Sequence, residues 1–532
     1  MENLSTKNSK FNIENIAIAI FIIGCLVRIL FIGQIPTGLN QDEASNAYEA
    51  FAILNYGIDR NGIKNPIHLI AWGSGQNIAY TWLCMPFIKL FGLNTITTRI
   101  PMAIIGCISI YVFYIFLKEL FNKKYALIGT IYFSLFPWHI MKSRWGLDCN
   151  IFPDLILWGT TLVLLFIKRQ EKKYLYLSIL TFAFSFYSYG TSYMFIPLFL
   201  GGVWIYMFVN KKITIKDFIL STILFLILII PILVFIIINL FDLPQMQFLG
   251  FTIPRMVENR FFVIMNSDGQ PNLLANCFNN LISVFQTIIF QGDGLPWNGM
   301  DWLGICYTLF VPFFLIGPFI SIKNKTENEF LINWWFICSI ILAASILSNV
   351  NRINIIFIPV AYYIVRGIMF FINNRPQSSF VIFPALALCF IIFVGNYFTY
   401  HNQILGYYFD DGYGQALKVA TQDVNSEKIY ALPTSETHQL YMLTLFFEEI
   451  SPKTYLETRE IVDTNSNFQA VTKFDKYYFS FPEKINPTEN ASYIALIGNE
   501  HLFNKNEFEI KTFENYFVAY PKNLFNDNYT MW

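Results

Sequence analysis

Apolar runs separated by short, Lys-rich polar segments fill the chain from residue 13 to residue 397, and the rhythm stops there. A helix needs about 20 apolar residues to cross the hydrocarbon layer. By that measure the spacing predicts spans over residues 13–32, 100–117, 125–138, 151–167, 174–187, 193–209 and 218–240. More follow over 302–322, 330–347, 353–371 and 380–397, about 11 in all. The apolar stretch 78–91 is short and carries Pro86. Counted as a crossing, it would put Lys118, Lys123 and Lys124 outside, so it reads as a helix lying along the membrane. With that choice the clusters Lys168/Arg169/Lys172/Lys173, Lys211/Lys212/Lys216 and Lys323/Lys325 share one side. Short basic loops face the cytoplasm. The N-terminus is therefore expected in the cytoplasm, as an uncleaved anchor, with the C-terminal tail on the other side.

From His401 the pattern changes to that of a water-exposed segment. Residues 406–420 have helical spacing, and SEKIYALPT, KYYFSFP and ASYIALIG read as short strands flanked by turn residues. The expected fold is mainly α: a polytopic membrane helix bundle over residues 1–400, with a first outer loop at 34–99. A small, soluble extracytoplasmic α/β domain over 401–532 completes it.

Composition agrees. Charged residues make up 14% of the chain, against about 25% in soluble proteins. The net charge of zero hides an asymmetry: residues 401–532 hold 10 Lys+Arg and 18 Asp+Glu, leaving 26 and 18 in the rest. The two regions are built for different surroundings, and membrane lipids, not nucleic acid, are the expected partners. All eight cysteines precede the tail and no CxxC occurs, so neither a zinc site nor a disulfide framework is indicated. No DxD and no GxxxxGK[ST] occurs either, which argues against a nucleotide-sugar enzyme of the soluble type and an ATP-driven pump. The lipid surroundings and A+T-rich style of composition suit a bacterial plasma membrane.

Candidate chemistry collects at the outer ends of the spans. Asp42 and Glu43 follow the first span; His139, Lys142, Arg144 and Asp148 lie in PWHIMKSRWGLD; Tyr187, Tyr189 and Tyr193 lie in YSYGTSYM; Arg352 lies in SNVNRIN. A carboxylate placed on an acceptor hydroxyl serves as general base, and arginine and lysine hold phosphate oxygens. Plainer readings stand beside these. Asp42 and Glu43 suit the first turn of a helix, and Arg28 suits a snorkelling residue near a helix end. Asp148 could pair with Arg144 one turn away. His139 and the tyrosines suit a membrane interface, and Arg99 a charge at the start of a helix.

The runs GLNQDEASNAYEA, FIKLFGLNTITTRIPMAIIG and PWHIMKSRWGLD resemble the GT-C superfamily of membrane glycosyltransferases. The likeness is to the family-39-like group that includes protein O-mannosyltransferases and the lipid A aminoarabinose transferase. It covers roughly residues 10–400. It implies an inverting glycosyltransferase that moves a sugar from a polyprenyl-phosphate donor to a cell-envelope acceptor, whether protein, lipid or glycan. Carried onto this chain, it makes Asp42 the catalytic base with Glu43 beside it, and Arg144, Arg352 and Lys142 the donor-phosphate contacts. His139, Asp148 and Tyr189 are candidates for substrate or metal contact, and Mg²⁺ or Mn²⁺ is a candidate cofactor. A transporter or flippase of lipid-linked glycans, or a catalytically silent lipid-binding member, is the alternative.

Overall fold

Asparagine caps several of the first helices, because its side chain satisfies backbone N–H groups left open at a helix start. The computed structural model describes residues 13–71, 75–256, 273–324, 329–433, 439–462 and 470–522. Helix α1 is Ile13–Ile29 and α2 is Gln41–Tyr56, capped by Asn40 and ended by Gly57 in the left-handed conformation. The apolar stretch with Pro86 forms α3, Ile78–Phe91, and Asn94 caps α4, Thr95–Leu120. Asn122 caps α5, Lys123–Ser134, and Pro137 opens the seven-residue α6, Pro137–Ser143. Then come α7, Asp148–Arg169; α8, Lys172–Phe186; α9, Ser192–Val209; and α10, Ile215–Leu240. Helices Phe330–Ser345, Phe357–Asn374 and Ser379–Tyr397 complete the apolar part, with Val311–Asn324 before them.

Each stretch expected to span therefore carries a helix. Among the described residues six are both long and apolar enough to cross a membrane, and four apolar helices are shorter, Ile78–Phe91 among them. The chain is a multi-pass membrane protein. Two expectations shift. The segment expected as a span from residue 302 becomes helical only near Thr308, because Trp302 and Tyr307 take left-handed backbone angles (φ 67° and 60°). The long outer segment 241–300 also holds a helix, Leu273–Phe290, and a hairpin of Met246–Phe248 with Phe251–Ile253.

Two small hairpins shape the outer loops. Strands β1 (His68–Leu69) and β2 (Gln76–Asn77) pair in the first loop, and β3 (Met246–Phe248) pairs with β4 (Phe251–Ile253). The tail builds a seven-stranded mixed sheet from β5 (Lys428–Ala431), β6 (Glu460–Ile461), β7 (Val471–Phe474), β8 (Tyr477–Tyr478), β9 (Ala491–Leu496), β10 (Phe508–Phe513) and β11 (Tyr516–Pro521). Their order is β10-β11-β9-β5-β8-β7-β6, with β5 parallel to both neighbours. The three strands read from sequence are β5, β8 and β9. The helix expected over 406–420 is broken into Tyr400–Tyr408 and Tyr413–Lys418, because Asp410 and Gly412 adopt positive φ (53° and 94°).

The tail is docked against the first outer loop. Leu39 N–H donates to the Phe409 carbonyl at 2.6 Å, Gln439 N–H to Gln41 Oε1 at 3.2 Å, and Tyr48 Oη to the Ile450 carbonyl at 2.6 Å. Gly38 permits this approach. Its φ is +69°, and a Cβ there would stand 2.1 Å from the Phe409 carbonyl oxygen. One continuous apolar cluster runs from the membrane helices through α2 to Leu440, Leu443 and Val518 of the tail. The start of α2 is thus fixed from both sides.

Candidate active site

Helix α2 begins with a reciprocal cap: Asn40 Oδ1 accepts from Asp42 N–H at 2.9 Å, and Glu43 reaches back to Asn40 N–H. The two adjacent carboxylates then part company, since neighbours on a helix point about 100° apart. Glu43 is fully buried. Its Oε1 accepts from Arg99 Nε at 2.9 Å and from Gly146 N–H at 2.7 Å, and its Oε2 from Arg99 Nη2 at 2.9 Å. Arg99 spends its remaining donors on the carbonyls of Ile32, Pro36 and Gly38. It is therefore a buried clamp on the first loop and not a charge at the mouth of a helix. Expected as a catalytic neighbour, Glu43 is placed instead as the other half of that clamp.

Asp42 stays half-buried at the outer edge. Its carbonyl receives Gln76 Nε2 at 3.2 Å and Asn46 Nδ2 at 3.0 Å, so β2 and α2 hold its backbone. Asp148, the first residue of α7, is tied to it through β2, whose adjacent residues Gln76 and Asn77 bind the Asp42 carbonyl and the Asp148 carboxylate. Its oxygens accept from Asn77 N–H at 3.1 Å and Cys149 N–H at 2.8 Å. Among the described residues no lysine or arginine lies within ion-pair distance of it, so the expected pairing with Arg144 does not form. The helix N-terminus and the two N–H groups serve its oxygens instead.

Tyr189 and Arg352 complete the group. Burial first, then the neighbouring Cys149 and Asp148, hold the Tyr189 phenol well above its ordinary pKa; Arg352 opposes this and Asp42 adds to it. Tyr189 therefore stays a hydrogen-bond donor. Arg352 is half-buried, with Nη1 on the Leu347 carbonyl at 3.3 Å, and makes no ion pair among the described residues. Asn77 Nδ2 donates to Tyr193 Oη at 2.9 Å, tying β2 to α9. Nothing in the sequence marked Asn77: it sits where a helix cap would, but its side chain makes no capping bond.

The remaining candidates lie elsewhere. The Arg144 guanidinium gives Nε to the Ile35 carbonyl at 3.1 Å, Nη1 to Val27 at 2.5 Å and Nη2 to Leu30 and Ile35, each at 2.8 Å. It ties the end of α1 to α6, and the arrangement leaves a phosphate little of the fork to hold. Lys142 contacts Asp154 and the Asn150 carbonyl, and His139 bridges Arg28 Nη2 (2.8 Å) and Asp154 Oδ1 (3.1 Å). All four side chains are buried, so Arg28 does not snorkel; it also donates to the Gly24 and Ser134 carbonyls. Lys142 and His139 thus belong to an internal charge cluster that locks α1, α6 and α7 together. Its acid, Asp154, carries a signal legible in the sequence, since a carboxylate within an apolar run commonly has a specific partner. Among the described residues no group of three or more His, Cys, Asp or Glu is placed to hold a metal ion.

Comparison with known proteins follows from this geometry. Residues 76–237 match the profile of the family described as Dolichyl-phosphate-mannose-protein mannosyltransferase. No curated protein matches the chain in sequence. In structure it is similar to ArnT from Cupriavidus metallidurans in the apo state, with TM-score 0.59, 11% identity, and 97% of this chain and 99% of that chain covered. The same protein bound to undecaprenyl phosphate gives 0.55, 12%, 97% and 98%. The oligosaccharyltransferase of Archaeoglobus fulgidus in complex with Zn and sulfate gives 0.51, 12%, 90% and 68%.

Proposed function

We propose that this chain, which has the fold of the GT-C membrane glycosyltransferases, moves a sugar from a polyprenyl-phosphate donor to a hydroxyl- or amine-bearing cell-envelope acceptor, with inversion. The observation that carries the reading is that β2 joins the starts of two helices, Gln76 binding the Asp42 carbonyl and Asn77 the Asp148 carboxylate, with Tyr189 and Arg352 nearby. Asp42 takes the acceptor proton as general base. The acceptor oxygen or nitrogen attacks the anomeric carbon from the face opposite the phosphate, and the bond to the phosphate oxygen breaks. Arg352 and the Tyr189 hydroxyl stabilise the charge on the departing polyprenyl phosphate. A single displacement with no enzyme nucleophile inverts the anomeric centre.

A divalent ion, Mg²⁺ or Mn²⁺, fits the pair in one respect: Asp148 holds a carboxylate without a cationic partner among the described residues. Asp42 and Asp148 would hold the ion, with water and donor phosphate supplying the rest of the oxygen shell that hard cations require. Its chemistry would be neutralisation of phosphate charge. The site is assigned to the extracytoplasmic face, with the N-terminus in the cytoplasm of a bacterial plasma membrane. A reporter fusion placing the tail in the cytoplasm would overturn that orientation. The flippase alternative gains nothing from the charges inside the bundle, because Arg28, His139, Lys142 and Asp154 are tied to one another and not strung along a path.

The test is Asp42→Asn. Transfer from a polyprenyl-phosphate sugar should fall ~10²–10⁴-fold, the usual worth of a positioned base, while melting temperature and lipid binding stay unchanged. Full turnover in that variant would remove Asp42 as base.

A further inference from the structure

A second polar cavity of about 760 Å³ opens beside this site, lined among others by Gln286, Thr287, Asp301, Asn396, Tyr400 and His401. Its volume falls in the usual range of ligand pockets, roughly 300–1,000 Å³. The loop that forms one wall also borders the catalytic group. Asp293 Oδ2 in that loop accepts from Val350 N–H at 2.8 Å, two residues before Arg352. Trp297 packs with Trp145, Cys149 and Tyr189, next to Asp148. This loop therefore touches both the cavity and the residues around Asp148.

The cavity has a built hydrogen-bonding character. His401 is 7% exposed, and its ring N–H donates to the Pro296 carbonyl. The ring lines the cavity, and its Nε2 is buried with no partner among the described residues, which leaves the nitrogen without a proton as an unanswered acceptor. Burial, chiefly, lowers His401 to about 4, with the Pro296 carbonyl and Asp301 opposing. The ring is thus neutral at neutral pH. Asp301 adds a carboxylate acceptor, Gln286 and Asn396 offer amides of both kinds, and the exposed ring faces of Tyr400 and Phe290 stand at the rim. Among the described residues no lysine or arginine lines the space. A buried acceptor without a donor costs free energy, and the group that best supplies O–H or N–H donors and an apolar C–H face together is a sugar ring. A phosphate or carboxylate would meet Asp301 and Asp293 and no cation.

We propose that this cavity is a saccharide subsite that takes a neutral or amino-bearing sugar ring of the acceptor, with His401 Nε2 and Asp301 accepting from its hydroxyl or amine groups. The proposal deepens the transferase reading and rests on it for the word acceptor. The binding site itself stands on the cavity alone.

The experiment is saturation-transfer NMR on the full-length protein in detergent, with methyl glucoside, methyl glucosaminide and methyl glucuronide as probes. The first two should bind and the glucuronide should not. His401→Phe and Asp301→Asn should each weaken binding ~tenfold, the worth of about one hydrogen bond, with undecaprenyl phosphate binding unchanged in both. Asp301 is exposed, so its variant keeps the test open if His401→Phe fails to fold. Binding of none of the probes, with only water answering Nε2, overturns the subsite; so does equal binding in wild type and Asp301→Asn, or preference for the glucuronide. Sugar binding that survives together with full transfer by Asp42→Asn would leave the subsite standing and overturn the catalytic assignment.

Discussion

Replacing Glu43 by glutamine should damage the fold, whereas replacing its neighbour Asp42 by asparagine should damage only the reaction. Glu43 and Arg99 are both fully buried, joined by two bonds of 2.9 Å, and Glu43 also accepts from Gly146 N–H at 2.7 Å. Glutamine keeps the length but removes the charge, and its NH₂ group must face either the guanidinium or the Gly146 N–H. Removing one partner of a buried pair costs about 3–5 kcal/mol, because the other charge stays desolvated. That is a large share of a typical total stability of 5–15 kcal/mol. Because Arg99 also gathers the carbonyls of Ile32, Pro36 and Gly38, the loss should loosen the whole first outer loop. The assay is thermal unfolding in detergent alongside transfer at low temperature. Glu43→Gln should melt well below wild type yet keep measurable turnover when cold. The double variant Glu43→Leu/Arg99→Met should not recover the stability, since it leaves the carbonyls of Ile32, Pro36 and Gly38 and the Gly146 N–H without their partners. A Glu43→Gln protein that melts like wild type but transfers nothing would refute the division of labour and return Glu43 to the chemistry.

Two further predictions separate structure from chemistry elsewhere. Arg144→Lys should lower the melting temperature with little change in KM for the lipid donor, because a lysine cannot reproduce the carbonyl bonds that hold the end of α1; Arg352→Ala should do the reverse, raising that KM. A donor KM raised by Arg144→Lys at unchanged melting would restore the phosphate role. For pH dependence, Glu49 on α2 faces Arg60 Nη1 at 3.2 Å, but burial outweighs that partner and, with Asp59 adding, pushes the carboxyl up to about 8. The folded chain therefore keeps a proton that the unfolded chain releases from about 4.5 upward. This contribution is present at low pH and is lost as pH rises through about 8. Melting curves against pH should show wild type falling relative to Glu49→Gln across that window, and a relative rise would contradict the burial argument.

What the sequence determined by itself was the periodic part. Run length and the side chosen by lysines place the helices, and Pro86 with the charge accounting marks Ile78–Phe91 as short. Asn40 with Glu43 three residues on announces the start of α2, the element that presents Asp42. Those signals are local, and local chemistry suffices for them. Which charges meet across the fold was decided only by tertiary structure. Asp42 and Glu43 are neighbours in sequence, yet the step of about 100° between adjacent helix positions sends Glu43 to Arg99 and leaves Asp42 on the side of Asp148. Arg28, Arg99 and Arg144 read alike as charges at membrane edges. Each is in fact buried, because backbone carbonyls at the end of α1 and in the first loop, or the cluster of His139 and Asp154, need donors that lipid cannot supply. The docking of the tail on α2 is equally invisible in the chain order. It depends on Gly38 letting Phe409 approach, a contact between residues hundreds of positions apart that no pattern within either segment encodes.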